Sequence, residues 1–228
     1  MLNKQKGNMY GFVTHTWNAI KGKCSHGCSY CYMKNFWKSD VHLDKKELKQ
    51  DLGEGNFIFV GSSTDMFADG LSSEWIIKTL EHCKEYPKNT YLFQTKNPRR
   101  LQYFLSYIPK DSILGLTLET NKENNCDNAP GRRERSEWME TYSYLRTMVT
   151  IEPIMDFDLI PFAEMIKKIN PESVNIGADS KGHNLPEPSS EKIGELIEEL
   201  SQFAKVNLKD NLKRLYALPQ DGGQHGNS

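Results

Sequence analysis

The chain has 228 residues, 26% of them charged, and a formal net charge of -1. This length suffices for one α/β domain with a sizeable core, and the balanced charge excludes a strong overall attraction for nucleic acid, so such a partner would need a local basic patch. The sequence has neither an apolar run long enough to span a membrane nor a secretory signal, so we expect a cytoplasmic protein without a membrane partner.

Short apolar runs alternate with segments of helical periodicity, a pattern typical of βα units around a parallel sheet. The six predicted strands cover residues 9–14, 56–61, 90–95, 112–118, 148–151 and 173–177. The six predicted helices cover residues 44–52, 72–86, 98–107, 131–144, 158–169 and 189–204. Right-handed crossovers would join these units into an open (β/α)6 partial barrel with a parallel sheet.

The chain shows no internal repeat and no linker, so we expect a single domain over residues 1–218. The Gly- and Gln-rich stretch 219–228 predicts a disordered tail. Five cysteines, three of them clustered, do not make a disulfide framework, and they are consistent with a reducing compartment.

Cys24, Cys28 and Cys31 form a C-x3-C-x2-C array in the loop after the first predicted strand. Thiolates are soft ligands that suit iron-sulfur clusters, zinc and copper(I). A four-iron cluster held by three cysteines keeps one iron open for another ligand, whereas a zinc site would recruit His26 or a distant residue as its fourth ligand. No second pair of ligands follows at the spacing usual for zinc modules. The array therefore favours a [4Fe-4S] cluster.

The array, with Tyr30 just before its third cysteine, resembles that of the radical S-adenosylmethionine (SAM) enzymes. The strand ends Thr95-Lys96-x-Pro98, Thr117-x-Glu119 and Glu152-Pro153 resemble more closely the phage-associated radical SAM proteins and, more distantly, spore photoproduct lyase. The resemblance covers roughly residues 10–212. It implies the partial barrel, a [4Fe-4S] cluster, SAM and an external one-electron reductant. It also implies reductive cleavage of SAM to a 5′-deoxyadenosyl radical that abstracts a hydrogen atom from a substrate.

Polar residues follow the predicted strands, at the end where active sites of parallel α/β folds lie. By the resemblance, small residues after the second strand bind the SAM amino group, although Gly-Ser-Ser stands where the family usually has Gly-Gly-Glu. Polar groups after later strands would bind the rest of SAM. The candidate SAM-binding residues are Gly61, Ser62, Ser63, Thr117, Glu119, Glu152 and Gly177. The alternative for each is a turn, a cap or a solvated strand end.

Candidate substrate-binding residues are Lys96, Asp179 and Lys209, which also follow predicted strands or short apolar stretches. Cys126, in a polar loop after the fourth strand, is a candidate catalytic hydrogen-atom donor or an ordinary loop cysteine. The basic run 132–135 would contact phosphate or form a solvated helix face. These groups and the resemblance favour a nucleotide or nucleic acid as substrate, with a peptide or a small metabolite left open.

A zinc-binding module is the alternative function, with the cysteine loop as a structural staple for nucleic-acid or protein recognition. It would use Cys24, His26, Cys28 and Cys31 as four ligands on one loop. It leaves unexplained why charged residues follow so many of the predicted strands, which favours the enzyme.

Overall fold

A mostly parallel sheet of eight strands forms the centre of the protein in the computed structural model, which describes residues 1–5, 7–123 and 126–217. The strands are β1 (Asn3–Lys4), β2 (His15–Trp17), β3 (Ile20–Lys21), β4 (His42–Leu43), β5 (Phe57–Val60), β6 (Thr90–Thr95), β7 (Ser112–Thr117), β8 (Thr147–Ile151), β9 (Ser173–Ile176) and β10 (Lys205–Leu208). The order in the large sheet is β1-β2-β5-β6-β7-β8-β9-β10, and β3 pairs with β4 separately. Neighbours in the large sheet are parallel except β1 and β2.

The predicted fold class, an open α/β fold around a parallel sheet, is confirmed. The edge strands β1 and β10 do not pair with each other, so the described residues form no closed barrel. The parallel strands are β2 and β5 to β10, which is seven rather than the predicted six. The additional strand is β10, whose four residues were predicted only as part of an apolar stretch.

The described residues form five α-helices that join successive parallel strands: α1 (Ser73–Lys84), α2 (Pro98–Leu101), α3 (Arg132–Glu140), α4 (Leu159–Ile169) and α5 (Ser190–Ser201). In α4, Phe162, Ile166 and Ile169 are buried and recur at helical spacing, so one face of this helix packs against the core. The predicted helix over 44–52 is wrong, since only a short 3-10 turn, Glu47–Lys49, forms there. Glu47 is buried, and its Oε1 lies 2.7 Å from Lys21 Nζ of β3, so a salt bridge holds this segment against β3.

The prediction of a strand over residues 9–14 is also wrong, because this segment turns and plugs one end of the sheet's inner face. The Val13 N–H donates to the Tyr10 carbonyl at 3.0 Å, and both side chains are buried. They pack with Phe59, Leu92, Ile113 and Met148. The first parallel strand is instead β2, whose three residues are too few to show an alternating pattern.

Strands from near both ends of the described chain join the large sheet. The single domain over 1–218 stays a prediction, and the tail predicted over 219–228 lies outside the described residues. Among the helices of the described residues, none has both the length and the apolar character of a membrane span.

Candidate functional site

A cavity of about 480 Å³ opens at the carboxyl ends of the parallel strands. Strand alternation explains its polarity, because residues two apart along a strand face the same side. Along β6 the inner face runs from Leu92 to Gln94 and then to Lys96. Along β8 it runs from Met148 to Thr150. On each strand, the inward-facing residues thus begin in the apolar cluster around Tyr10 and Val13 and end among the polar residues that line the cavity.

The cavity floor is a hydrogen-bonded row of polar side chains across the strands. The Tyr10 hydroxyl donates to Gln94 Oε1 at 2.7 Å and lies 2.8 Å from Thr150 Oγ1. Gln94 Nε2 in turn donates to Thr117 Oγ1 at 2.9 Å. Burial, and then the charge of Glu152, raise the pKa of Tyr10, so its phenol stays protonated. Of these residues, only Thr117 was singled out from the sequence.

Cys24, Cys28 and Cys31 all line the cavity from one loop. Burial raises the pKa of the Cys24 thiol to about 12, with a further contribution from the charge of Asp65. The loop is docked by backbone hydrogen bonds to the segment after β7: Ser29 N–H donates to the Cys126 carbonyl at 2.8 Å, and Asn128 N–H to the His26 carbonyl at 2.7 Å. The loop after β7 therefore helps to hold the cysteine array in place.

The cysteine donors fit an iron-sulfur cluster by their chemistry. Three soft sulfur donors share one cavity wall, and the Lys96 ammonium donates to Cys28 Sγ at 3.3 Å, as a cation does to a thiolate. In residues 1–5, 7–123 and 126–217, no three Cys, His, Asp or Glu side chains converge as the ligands of a single metal ion would. A cluster at this site is thus a proposal from the donor set and the charge.

His26, the alternative zinc ligand, is buried and bound to Asp65, with its Nε2 2.8 Å from Asp65 Oδ2. Asp65 also accepts from Thr95 Oγ1 at 2.9 Å and from the Lys96 backbone N–H at 2.8 Å. Burial opposes ionisation of Asp65, but the charge and hydrogen bond of His26 outweigh it, and its pKa is lowered. The pair ties the cysteine loop to the ends of β5 and β6.

Five charged side chains form a buried ion cluster beside the cysteine loop: Lys96, Glu119, Asp127, Arg132 and Arg135. Lys96 lies 2.6 Å from Glu119 Oε1, and Arg135 lies 3.2 Å from Glu119 Oε2 and 2.7 Å from Asp127 Oδ1. Burial opposes ionisation of Glu119, but the charges of Lys96, Arg135 and Arg132 lower its pKa to about 2. Attraction within the cluster therefore keeps the carboxylate ionised.

The ion cluster corrects two expectations from the sequence. Glu119 is fully buried and does not line the cavity, because both its oxygens are enclosed by cations and by the Tyr30 hydroxyl, which donates at 2.5 Å. Arg132 and Arg135 are also buried, so they form neither a solvated helix face nor a phosphate-contacting surface. The carboxylate partners of these arginines, Glu119 and Asp127, precede α3 in the chain and follow the end of β7.

Glu152 lines the cavity and is paired with Lys209, whose Nζ lies 2.5 Å from Glu152 Oε2. Its other oxygen accepts from Asn8 at 3.0 Å and Asn211 at 2.8 Å. Gly177 does not line the cavity, and a Cβ there would stand 2.7 Å from Glu152 Oε1. Gly177 thus makes room for this carboxylate rather than for a ligand.

The small-residue stretch after β5 lines the cavity and supports the cysteine loop. The Ser62 carbonyl accepts from the Tyr32 hydroxyl at 2.5 Å, and the Ser63 carbonyl accepts from Trp37 Nε1 at 3.3 Å. Gly61 has a φ of +78°, a conformation that glycine adopts without strain. All three residues of the predicted Gly-Ser-Ser segment therefore lie at the cavity, with two of their carbonyls already occupied.

Asp179 lines the cavity and accepts from His183 Nδ1 at 2.7 Å and from the Lys181 N–H at 3.0 Å. Burial opposes its ionisation, but hydrogen bonds from the His183 and Lys181 backbone lower its pKa. Cys126 lies outside the cavity lining, and its sulfur accepts from Arg132 at 3.1 Å.

The predictions from the sequence did not include three site residues whose hydrogen-bond or ion-pair partners are remote in the chain. Tyr10 lies inside the segment predicted as the first strand, and Asp65 was not among the predicted site residues. Asp127 directly follows Cys126 in a polar loop, and this neighbourhood is the only feature of the sequence that could have pointed to Asp127 as a site residue.

The family model described as "Protein of unknown function (DUF5131)" matches residues 9–157, more than half of the chain. The chain belongs to the DUF5131 family. The match includes the cysteine loop and the strands from β2 to β8. The comparison of this DUF5131 protein with curated protein sequences gave no match.

Solved structures of spore photoproduct lyase share the fold of this DUF5131 protein. A cysteine-to-serine variant of the lyase has a TM-score of 0.66 at 10% identity, covering 90% of this chain and 79% of the lyase. A second variant, with bound AdoMet and dinucleoside spore photoproduct, has a TM-score of 0.62 at 10% identity, covering 89% and 78% of the two chains. At this identity the likeness shows the fold alone.

Proposed function

We propose that this DUF5131 protein is a radical SAM enzyme that holds a [4Fe-4S] cluster through Cys24, Cys28 and Cys31. The observation that carries the proposal is the position of the array, which lines the cavity at the carboxyl ends of the parallel strands. A zinc staple would not require that cavity. The fold shared with spore photoproduct lyase supports the same conclusion.

When bound, the cluster supplies an electron to SAM, whose reductive cleavage gives the 5′-deoxyadenosyl radical that abstracts a substrate hydrogen atom. The chain's own residues bind, orient and exclude water. We assign the amino group of SAM to Gly61, Ser62 and Ser63, which line the same cavity as the cysteines. Thr117 and Glu152, at the ends of neighbouring strands, would offer hydrogen-bond acceptors to the ribose hydroxyls of SAM. An external one-electron reductant completes the reaction.

Anaerobic reconstitution with iron and sulfide tests the cluster. Wild type should bind about four irons per chain, and Cys28→Ala should lose them, since three thiolates are needed. His26→Gln is the matched comparison within the same loop: it keeps all three cysteines and a hydrogen-bond donor for Asp65, so its iron content should stay near that of wild type. Uptake of one zinc in place of iron, lost in His26→Gln, would establish the zinc module instead.

We further propose that the substrate is a nucleotide or a nucleic acid. Three of the similar lyase structures contain a dinucleoside spore photoproduct. On this chain, exposed Tyr32, Lys34, Phe36 and Lys38 alternate aromatic and basic side chains in a segment that reaches the cavity through Tyr32 and Trp37. Aromatic faces stack on bases and ammonium groups attract phosphates, so this segment is suited to a single strand.

Binding of a fluorescent single-stranded oligonucleotide, measured by anisotropy at several salt concentrations, tests the substrate class. Affinity should fall steeply with salt, and Phe36→Ala should weaken it by about 1–3 kcal/mol, the usual value of one stacked base. Tyr103→Ala is the control, because Tyr103 is 70% exposed, close to the 66% of Phe36, but no residue from 97 to 116 lines the cavity, whereas Trp37 next to Phe36 does. Weak binding that ignores salt, or equal effects of the two variants, would contradict the proposal.

A further inference from the structure

We propose that Lys96 is a positioning residue that sets the reduction potential of the iron-sulfur cluster, an inference that rests on the proposed function. Its ammonium nitrogen donates to Cys28 Sγ at 3.3 Å. Hydrogen bonds to the sulfur ligands and nearby charge are two of the means by which a protein tunes the potential of such a cluster. Lys96 supplies both from one side chain.

The contacts of Lys96 hold its ammonium group against the cysteine loop. Glu119 Oε1 lies 2.6 Å from Nζ, the centre of the Tyr30 ring lies 4.4 Å away, and the side chain is only 12% exposed. A salt bridge on one side and a cation-π contact on another restrict the flexible lysine to one position. The same enclosure leaves little access for a substrate carboxylate or phosphate, so Lys96 acts on the cluster ligand instead.

The charge of the buried ion cluster supports this role. Lys96, Arg132 and Arg135 carry three positive charges, whereas Glu119 and Asp127 carry two buried negative ones; a third carboxylate, Glu123, lies 3.9 Å from Arg132 but is 61% exposed, so water screens its contribution and an excess of positive charge remains in the interior. A buried excess charge is costly unless an opposite charge compensates it. Cysteine thiolates on the adjoining cavity wall provide that charge. An electron added to the cluster that these thiolates would hold strengthens the attraction between the cluster and the Lys96 ammonium. Lys96 therefore favours the reduced state of the cluster.

The test compares midpoint potentials of the reconstituted protein by redox titration with EPR detection of the reduced state. Lys96→Met should lower the reduced-to-oxidised ratio at a fixed potential by about tenfold, which is about 59 mV for one electron. Lys96→Arg keeps the positive charge and should recover most of the shift. Lys88→Met is the matched control, because it removes an exposed, paired lysine at the other end of β6, roughly 20 Å away at about 3.3 Å per residue.

Loss of Lys96 leaves two arginines against two carboxylates, so the ion cluster remains balanced and the variant should fold. Lys96→Gln is a second variant, and far-UV circular dichroism with an iron count checks both. An unchanged or raised midpoint in Lys96→Met, with about four irons still bound, would overturn the role of Lys96 while leaving the proposed function intact. Wild type that takes up no iron would contradict the proposed function itself and this inference with it.

Discussion

Replacing Glu119 by glutamine tests whether the buried ion cluster stabilises the fold. Glu119→Gln keeps the size and shape of the side chain but removes the charge that faces Lys96, Arg132 and Arg135. The excess positive charge of the ion cluster then rises from one to two. Since Glu119 does not line the cavity, we expect the loss to appear in stability rather than in SAM affinity.

The size of this loss follows from the pKa of Glu119. Its fall from 4.5 to about 2 in the folded protein corresponds to about 3 kcal/mol at 1.36 kcal/mol per pKa unit. Removing one partner of a buried ion pair typically costs about 3–5 kcal/mol, which agrees. For a chain of this size, a loss of about 3 kcal/mol lowers Tm by roughly 6–12 °C.

Thermal unfolding followed by circular dichroism measures this difference. Glu172→Gln is the control, because Glu172 also pairs with an arginine, Arg146 at 2.8 Å, but both side chains are about half exposed. Its loss should stay within about 1 kcal/mol. Because the folded pKa of Glu119 is depressed, its stabilisation is present above pH about 4.5 and disappears as the pH falls through about 2. Equal Tm losses in the two variants at pH 7 would refute the reasoning.

Gly177→Ala should destabilise the fold by about 1–3 kcal/mol in chemical denaturation, because its Cβ would stand 2.7 Å from a held carboxylate oxygen. Gly11→Ala, where no heavy atom lies within 4 Å of the new Cβ, should change stability little, and equal losses would contradict this account. Asp156→Asn should be less stable than wild type at pH 7, and the difference should vanish as the pH falls from about 4 to about 2. The reason is that hydrogen bonds from Lys122 and Lys192 lower the pKa of Asp156 to about 2, and a difference that persists at pH 2 would contradict it.

The strands that the sequence predicted well are those whose patterns are long enough to read. The bounds of β6 agree with the prediction because six residues rich in β-branched and aromatic types follow a turn and precede Pro98. β2 has only three residues and no alternation, so the apolar segment before it was predicted as the strand instead. Local pattern therefore predicts the longer parallel strands and misses the short strands β1 to β4.

The candidate site likewise contains residues that the local sequence predicted and contacts that it did not. Gly61 to Ser63 lie at the cavity because they directly follow β5, and the three cysteines lie there on the loop that follows β2 and the short strand β3. Glu119 was predicted to bind SAM, but its partners Arg132 and Arg135 come from the next helix. Their pairing depends on how α3 docks, which no local pattern in the sequence reveals.

Formation of 5′-deoxyadenosine tests the central claim most directly. Reconstituted wild type, supplied with SAM and dithionite under anaerobic conditions, should release 5′-deoxyadenosine and methionine, measured by liquid chromatography with mass spectrometry. Cys28→Ala should release neither, because it lacks one of the three thiolates that are proposed to hold the cluster. Absence of 5′-deoxyadenosine from wild type that carries about four irons per chain would contradict the assignment of this protein as a radical SAM enzyme.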